Sequence, residues 1–399
     1  MDILGFPVWN GSPLSAQNAT VLIGTKNARM QRSHKIRLYP NNRQATYFAK
    51  ACGCARLAYN WGLAEWQRRY SQGERPSAYG LKKQFNALKR EQFPFVSEVT
   101  KWAPERSFFD LDRAFKNFFR NKRFRYPKFK KKGQRDSFYI SGSVVKLDQN
   151  RVCIPKLGWV RMAECLRFSG KLQSVTISKR ADRWFASIAV DIPDAEYSES
   201  QAYSAVGIDL GVKRLATLSN GTVFENPATT QKFAKRLRRA NKALARKQKG
   251  SSNFKKQKRR LARLHQKIAD YRSDAVHKFT SFVADRYSDV CVEDLNVAGM
   301  VRNRRLAKAI SDASFREIRR QLEYKSIRLH VVDRWLPSTK LCASCGQLRD
   351  MPLSERVFKC DCGFGPIDRD LNAAQNILRQ GLPWQPVERP ALALSLAVA

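Results

Sequence analysis

Acidic residues and histidines are scarce in this chain of 399 residues. Against 75 lysines and arginines there are 34 aspartates and glutamates and four histidines, which gives a formal net charge of +41. The histidines lie in no motif, which fits a site whose metal ligands are carboxylates. A charge this large destabilises a compact fold unless a polyanion offsets it, so the composition indicates nucleic acid as the partner.

Long apolar runs are lacking as well. A membrane-spanning helix needs about 18 or more consecutive apolar residues, whereas the apolar tail ALALSLAVA has nine. The N-terminus carries Asp2 and no basic segment before its apolar residues, so it does not read as a secretory signal. Four of the nine cysteines share one motif and the others are scattered, which favours a reducing cytoplasm over a disulfide framework. No membrane association is expected.

The N-terminal half predicts a strand, a helical insertion and a sheet. Residues 1–30 are low in charge and rich in Gly, Asn and Ser, and are expected to form a flexible extension. The strand KIRLYP follows, and Asn41 or Asn42 can then cap an amphipathic helix. A second helical block is expected over about 79–122. Residues 137–193 alternate apolar and polar side chains, which is typical of a β-barrel-like unit.

Two segments are strongly basic. Residues 113–135 hold eleven basic and six aromatic residues and no acid, and residues 231–270 hold sixteen lysines and arginines and one acid. Charge runs usually form solvated surfaces, but this density and the interleaved aromatics favour phosphate contacts and base stacking. The basic residues proposed to contact nucleic acid are Arg123, Arg125, Lys128, Lys130, Lys235 and Arg239.

The C-terminal half has a different pattern. From Ser204, three short strands are separated by turn signals at Gly211 and Asn220-Gly221. Two long helices over 229–285, the strand DVCVEDL, a helical stretch over 304–329 and the strand LHVVDRWLP follow. Strands and helices in this order are typical of an RNase H-like α/β fold. The chain is therefore predicted to be an α+β multidomain protein.

Two acids end apolar strands in this half. Asp209 follows the apolar residues 205–208, and Glu293 follows residues 290–292. A buried acid costs free energy unless it is paired or binds a cation, and each of these alone is more often structural than catalytic. Together with a third acid they could hold two Mg²⁺ ions about 3.5–4 Å apart, as in two-metal phosphodiesterases.

The third acid comes from Asp368-Arg369-Asp370, at the start of the helix LNAAQNILRQG. Asp370 is preferred because the small residues that follow it let the helix pack closely against a sheet. Asp368 is the competing ligand. It could instead cap the helix or orient Arg369.

Four cysteines precede that helix. Cys342-x-x-Cys345 and Cys360-x-Cys362 are separated by fourteen residues, and four thiolates are common ligands of structural Zn²⁺. The second pair is one residue tighter than usual, and a redox pair or an unused site are the alternatives. A zinc ion bound in this way has no open coordination position, so its role is expected to be structural.

Several motifs in a fixed order resemble the TnpB family of insertion-sequence proteins. They are GIDLGVKRLAT, VEDLNVAGM, LPSTKLCASCG and DRDLNAAQNI, together with KIRLYPNNRQ, AFKNFFR, RYPKFKKK and PKLGWV nearer the N-terminus. TnpB proteins are compact RNA-guided DNA nucleases related to the single-protein effectors of type V CRISPR systems. The resemblance covers about residues 33–385 and implies RuvC-type catalytic acids at Asp209, Glu293 and Asp370. It implies zinc ligands at the four cysteines named above.

The resemblance also implies a grip for nucleic acid in the N-terminal half. A wedge β-barrel over 31–195, with a helical recognition lobe inserted at about 42–125, would hold a guide RNA and a short motif flanking the target. Candidates for the surface that faces this flanking motif are Tyr79, Lys101, Trp102 and Ser141.

The C-terminal half would cut the DNA. A RuvC domain over 203–337 and 367–385 would use two Mg²⁺ ions on double-stranded target DNA, with a zinc knuckle inserted at 338–366. Residues 386–399 would form a flexible tail.

The expected function is RNA-guided DNA cleavage that maintains an insertion sequence, in a prokaryotic cytoplasm and in association with the nucleoid. Two alternatives are an RNA-guided DNA-binding repressor that does not cut and a guide-independent transposition nuclease. The three intact acids favour cleavage, and the basic recognition lobe favours a guide. The sequence leaves the oligomeric state open, and a monomer is favoured.

Overall fold

The computed structural model describes residues 20–23, 30–121, 123–192, 204–352 and 354–382. The chain divides into two compact units. The N-terminal unit comprises residues 26–196 and 247–266, and the C-terminal unit comprises residues 1–25, 197–246 and 267–399. In the described ranges, no helix combines the length and the apolar character needed to cross a membrane.

In the described part of residues 26–196, the N-terminal unit has one strand, then three α-helices, then six strands, whereas in the C-terminal unit helices separate the strands Val223–Glu225, Asp289–Glu293 and Arg328–Val332. The strands are β1 (Thr20–Ile23), β2 (Met30–Tyr39), β3 (Ser137–Ser141), β4 (Lys146–Asp148), β5 (Arg151–Ile154), β6 (Gly158–Met162), β7 (Lys171–Arg180), β8 (Arg183–Ile192), β9 (Ala205–Leu210), β10 (Arg214–Leu218), β11 (Val223–Glu225), β12 (Asp289–Glu293), β13 (Arg328–Val332), β14 (Val357–Phe358) and β15 (Ile367–Asp368). The α-helices are α1 (Asn42–Ser71), α2 (Ala78–Gln92), α3 (Trp102–Arg120), α4 (Thr229–Lys232), α5 (Ala234–Ala245), α6 (Ser252–Arg286), α7 (Val297–Met300), α8 (Ala307–Ala313), α9 (Phe315–Lys325) and α10 (Arg369–Gly381).

Local signals set the helices of the N-terminal unit. Asn41 caps α1 through a capping box: its side chain accepts a hydrogen bond from the N–H of Gln44 at 2.9 Å, and the Gln44 side chain accepts one from the N–H of Asn41 at 3.0 Å. The helical block expected over 79–122 consists of two helices. Pro94 cannot continue α2 and begins a one-turn 3₁₀-helix, Pro94–Glu98, so α3 starts afresh at Trp102.

The sheet of the N-terminal unit is rolled but open. Its seven antiparallel strands follow the order β3-β7-β8-β2-β6-β5-β4, and within the described ranges the two edge strands do not pair. The expectation of a β-barrel-like unit over 137–193 needs a correction, because the strands of this range, together with β2, form a sheet that does not close. A flat sheet would separate the edges by about 29 Å, yet residues 142–145 between them span about 18 Å at most. The chain leaves β3 through the 3₁₀-helix Gly142–Val144 and makes no closing pair.

The sheet of the C-terminal unit has the order β1-β13-β12-β9-β10-β11. β9, β12 and β13 are parallel neighbours, and the other pairs are antiparallel. The predicted order of elements is confirmed here, including the interruption between α5 and α6. The expected flexible extension, 1–30, needs a correction, because Thr20–Ile23 pairs with residues 328–331 as an edge strand. Its other residues up to 29 and the expected tail, 386–399, lie outside the described residues.

Candidate active site and zinc site

Two acidic side chains lie at the same edge of the C-terminal sheet. Asp209 stands near the end of β9, and Glu293 is the last residue of β12. The two strands are parallel neighbours with Val292 opposite Ile208, so the next residue of each strand projects on the same face. The strands therefore bring Asp209 and Glu293 side by side.

The third acid is carried by α10, which crosses the sheet at very close range. A Cβ added to Gly207 of β9 would lie 2.1 Å from the carbonyl oxygen of Ala374, and one added to Gly381 would lie 2.5 Å from Sγ of Cys291 in β12. At Gly207 the neighbour is backbone and cannot move aside, so helix and sheet approach each other backbone to backbone there, and at Gly381 the helix backbone lies against the Cys291 side chain. Asp370, in the first turn of α10, is thereby fixed at the edge that carries Asp209.

The three carboxylates repel one another. Burial, together with the charges of Glu293 and Asp370, raises the pKa of Asp209 to about 7 from its ordinary 3.8. Burial also raises the pKa of Glu293, and a hydrogen bond from Ser338 partly opposes this rise. A bound cation would therefore favour the ionised form of Asp209 near neutral pH. Carboxylate oxygens are the hard ligands that Mg²⁺ prefers, so the donor set suits this ion.

Asp368 has a different role in the structure, as the N-cap of α10. One of its oxygens accepts hydrogen bonds from two backbone N–H groups of the first turn, at 2.9 and 3.3 Å, and the other pairs with Arg214 at 2.8 Å. Burial opposes its ionisation, but Arg214 and the cap outweigh burial and lower the pKa of Asp368. Asp370 meets Arg356 and Arg369 only at 3.5 and 3.7 Å. Asp368 is therefore engaged as a cap and an ion-pair partner, whereas Asp370 makes only longer ion pairs.

A polar network holds Glu293. The hydroxyl of Ser338, which is 5% exposed, donates a hydrogen bond to Oε1 of Glu293. Asn376 of α10 donates to the carbonyl oxygens of Ser338 at 2.8 Å and Leu341 at 2.7 Å, and Asn372 donates to Leu341 at 2.7 Å. Sequence reasoning missed these residues, although two asparagines one turn apart on the apolar face of a helix are a signal for such a network.

Asp294, which follows Glu293, is neutralised by two arginines. Arg319 of α9 and Arg334 beyond β13 each form an ion pair with one of its oxygens. Burial opposes the ionisation of Asp294, but the two arginines prevail and lower its pKa. The ion pairs of Asp294 therefore link α9 and the residues after β13 to the end of β12.

The four cysteines form one cluster. Their sulfur atoms all lie within 4.8 Å of one another, with Cys342 at 3.8 Å from Cys362 and Cys345 at 3.6 Å from Cys360. A disulfide bond would need about 2.05 Å, whereas tetrahedral zinc with Zn–S bonds of about 2.3 Å separates its sulfur ligands by about 3.8 Å. The cluster therefore fits Zn²⁺ with four thiolate ligands. The β14–β15 hairpin and the buried side chain of Phe358 support it.

The candidates for the flanking-motif surface lie at three places in the N-terminal unit. Tyr79 of α2 is 71% exposed. Lys101 and Trp102 lie together at the start of α3, with Nζ 5.2 Å from the indole ring, on a cavity of 530 Å³ that Lys156 also lines. Ser141 ends β3, and its hydroxyl lies 3.0 Å from that of Ser143. The structure thus brings together only two of these four residues.

The basic candidates are exposed. Arg123, Arg125, Lys128 and Lys130 follow α3, and Lys235 and Arg239 lie on α5. Lys130 is held in place, since its backbone exchanges hydrogen bonds of 2.8 and 3.0 Å with the side chain of Asn60 and its Nζ lies 3.9 Å from the ring centre of Tyr59. This residue therefore fastens its loop to α1 in addition to carrying charge.

Comparison with known proteins places the chain in a family. Residues 187–304 match a family described as "Probable transposase", and residues 315–377 match the Cas12f1-like TNB domain. A relative from Streptomyces pristinaespiralis, provisionally named an RNA-guided DNA endonuclease, is 38% identical over 371 residues, which cover 89% of this chain and 90% of that protein. The chain belongs to the TnpB family.

Two further comparisons bear on this TnpB-family protein. InsQ of Escherichia coli strain K12, also provisionally named an RNA-guided DNA endonuclease, is 35% identical over 374 residues, which cover 87% of this chain and 91% of InsQ. A solved complex of Cas12f1 with single guide RNA and target DNA matches with a TM-score of 0.52 and 13% identity, covering 87% of this chain and 98% of that one. At this identity the likeness concerns the fold alone.

One family match describes its segment differently from the structure. Residues 30–75 match a helix-turn-helix domain. In this TnpB-family protein the same residues form β2 and the single 30-residue helix α1.

Proposed function

We propose that this TnpB-family protein is an RNA-guided DNA endonuclease with an RNase H-like, RuvC-type site at Asp209, Glu293 and Asp370. The convergence of these acids at one buried sheet edge supports the proposal most strongly. Structural carboxylates are normally paired, as Asp294 and Asp368 are. Asp209 and Glu293, by contrast, take part in none of the ion pairs among the described residues.

The three acids would hold two Mg²⁺ ions. When bound, such ions activate a water molecule and stabilise the leaving oxygen of a phosphodiester. Burial and the neighbouring acids raise the pKa of Asp209 to about 7, so this residue would release its remaining proton to the solvent if cations bound beside it. Ser338 keeps one oxygen of Glu293 in a fixed direction, and the glycine contacts of α10 keep Asp370 at the sheet edge.

The remaining parts would serve the guide and the target. In TnpB-type recognition, base pairing with the guide reads the sequence while the protein reads shape and a short flanking motif. We assign the guide RNA and the flanking duplex to the N-terminal unit, the wedge and recognition lobe of residues 31–195, because basic side chains cover its exposed segment after α3. Residues 203–337 and 367–385 would form the RuvC domain, with a structural Zn²⁺ in the knuckle at 338–366.

Co-purification and cleavage test the proposal. The protein is purified with its bound RNA, the RNA is sequenced, and DNA that matches the guide end is offered with randomised flanks and magnesium. Cutting next to one flanking motif is the expected result. Asp370→Asn is expected to abolish cutting and to leave guided binding intact. Asp368→Asn is the matched control, because asparagine also caps helices, and it should retain most of the activity.

Each other outcome has a definite meaning. Absence of co-purifying RNA would overturn the guided function. Bound RNA with uncut DNA would show an RNA-guided binding protein that does not cleave. Loss of cutting in Asp368→Asn but not in Asp370→Asn would mean that Asp368, and not Asp370, is the third acid of the site.

A further inference from the structure

Trp335 is the most exposed large apolar side chain among the described residues, at 84%. Single apolar residues are common on protein surfaces, so exposure alone indicates nothing. The position of this tryptophan is what distinguishes it. It stands just beyond the end of β13, which is the parallel neighbour of the strand that carries Glu293.

The loop of residues 333–338 is fastened to the candidate active site at both ends. At its start, Val332 lies opposite Glu293 in the sheet and accepts a hydrogen bond of 3.0 Å from the N–H of Asp294. At its end, Ser338 donates to the carboxylate of Glu293. Trp335 lies in the middle of this loop. Three extended residues reach about 10 Å at most, so Trp335 lies within about 10 Å along the chain from either anchor.

The loop itself is well ordered by its own contacts. The side chain of Asp333 accepts a hydrogen bond from the N–H of Trp335 at 2.9 Å. The backbone carbonyl of Asp333 accepts one from the N–H of Leu336 at 3.2 Å. The side chain of Leu336 packs inward, in a cluster with Val332 and Ile377. An inward leucine next to an outward tryptophan indicates that the indole is held outside the core by the geometry of the loop. Its neighbour Arg334, which is 45% exposed, is tied to Asp294 by an ion pair and so fixes the loop next to Glu293.

We propose that Trp335 stacks on a nucleobase of the DNA strand that enters the active site. The inference rests on the proposed function. An indole face suits this role in a guided enzyme, because every base has a face on which to stack and the contact is therefore indifferent to sequence. Trp335 lies within about 10 Å of the two residues that contact Glu293 or its neighbour, a distance equal to about three nucleotides at a rise of about 3.4 Å, so we expect the stacked base a few nucleotides from the phosphate to be cut.

Single-turnover cleavage by the guide-loaded protein tests the role of Trp335. Trp335→Ala is expected to slow cutting roughly 5- to 150-fold, the range that corresponds to one base–aromatic stack. Trp335→Phe should restore most of the rate, whereas Trp335→Leu should not. Zinc content and retained guide RNA should stay at wild-type levels in all three. Tyr324→Ala, at an exposed aromatic residue of α9, is the matched control and should cut at the wild-type rate.

An abasic scan of the cut strand locates the partner. One abasic position near the cleavage site should slow the wild type and leave Trp335→Ala unchanged, since the stack is already lost in that variant. Three results would overturn the stacking inference alone. They are a wild-type cutting rate in Trp335→Ala, additive effects of Trp335→Ala and the abasic position, and equal rescue of the rate by leucine and phenylalanine at position 335. Failure of the wild type to cut matched DNA would overturn the proposed function, and the inference with it.

Discussion

Replacing Asp209 with asparagine separates the effect of the acidic cluster on protein stability from its proposed role in cleavage. The pKa of Asp209 is raised to about 7 in the fold, against 3.8 for an unperturbed side chain. Since the folded state holds this proton more tightly, the contribution of Asp209 to stability is intact below pH 4 and is lost as the pH rises to about 7. At about 1.4 kcal/mol per pKa unit, the loss is up to about 4 kcal/mol.

An asparagine at position 209 has the same shape and never ionises. Asp209→Asn is therefore expected to be more stable than the wild type, and its advantage should grow by about 2 kcal/mol between pH 5.5 and pH 8. Urea unfolding of magnesium-free protein at the two pH values measures this difference. Chelators are avoided, because they would remove zinc as well. Asp274→Asn, at an exposed position of α6, controls for the general removal of a negative charge.

Magnesium provides the second half of the test. Ions that bind the native wild type stabilise it by mass action, so added Mg²⁺ should shrink the advantage of Asp209→Asn at pH 8. The variant should also be inactive in cutting, because an amide cannot replace the carboxylate as a charged ligand. An advantage that is equal at pH 5.5 and pH 8 would refute the electrostatic reasoning.

Three further predictions concern the surroundings of the site. Gly207→Ala should lower the free energy of unfolding in urea by about 1–3 kcal/mol, because the new Cβ would meet backbone at 2.1 Å. Gly53→Ala, in an open position of α1, is the control and should be neutral or stabilising. An equal loss of stability in the two variants would contradict the close packing of α10. Cys342→Ser should lower the zinc content measured by atomic absorption, whereas Ser at the exposed Cys165 should not, and an unchanged value would refute the cluster. Ser338→Ala removes the hydrogen bond that lowers the pKa of Glu293, so the acidic limb of the pH–rate profile for cleavage should move to higher pH. Ser338→Thr keeps a hydroxyl group and should restore the wild-type profile. An unshifted acidic limb in Ser338→Ala would exclude this role of Ser338.

Features encoded by neighbouring residues could be predicted from the sequence. Asn41 caps α1 because its partner Gln44 is three residues away, and the break between α5 and α6, at residues 246–251, includes Gly250 and Ser251. The strands ending at Asp209 and Glu293 were visible as short apolar runs followed by an acid. The structure brings these acids together, but their catalytic role stays a prediction.

Features that depend on distant residues could not be predicted in this way. The rolled sheet stays open because residues 142–145 form a helical turn, which the alternating pattern around them does not reveal. Asp368 and Asp370 carry the same chemical group, and only the partner Arg214, supplied by β10, shows that Asp368 is already engaged. The roles of Ser338 and Asn376 depend on hydrogen bonds made between elements far apart in the sequence.

Because Asp370 lies in α10, it is the last of the three acids to be synthesised. Asp209 and Glu293 leave the ribosome well before Asp370, and at about 5–20 residues per second the stretch from Asp209 to Asp370 takes roughly 10–30 s to translate. A nascent chain therefore completes its N-terminal unit and its basic segments while one of the three acids has yet to be made. Any product that stops short of α10 would carry the basic segments without a complete acidic cluster.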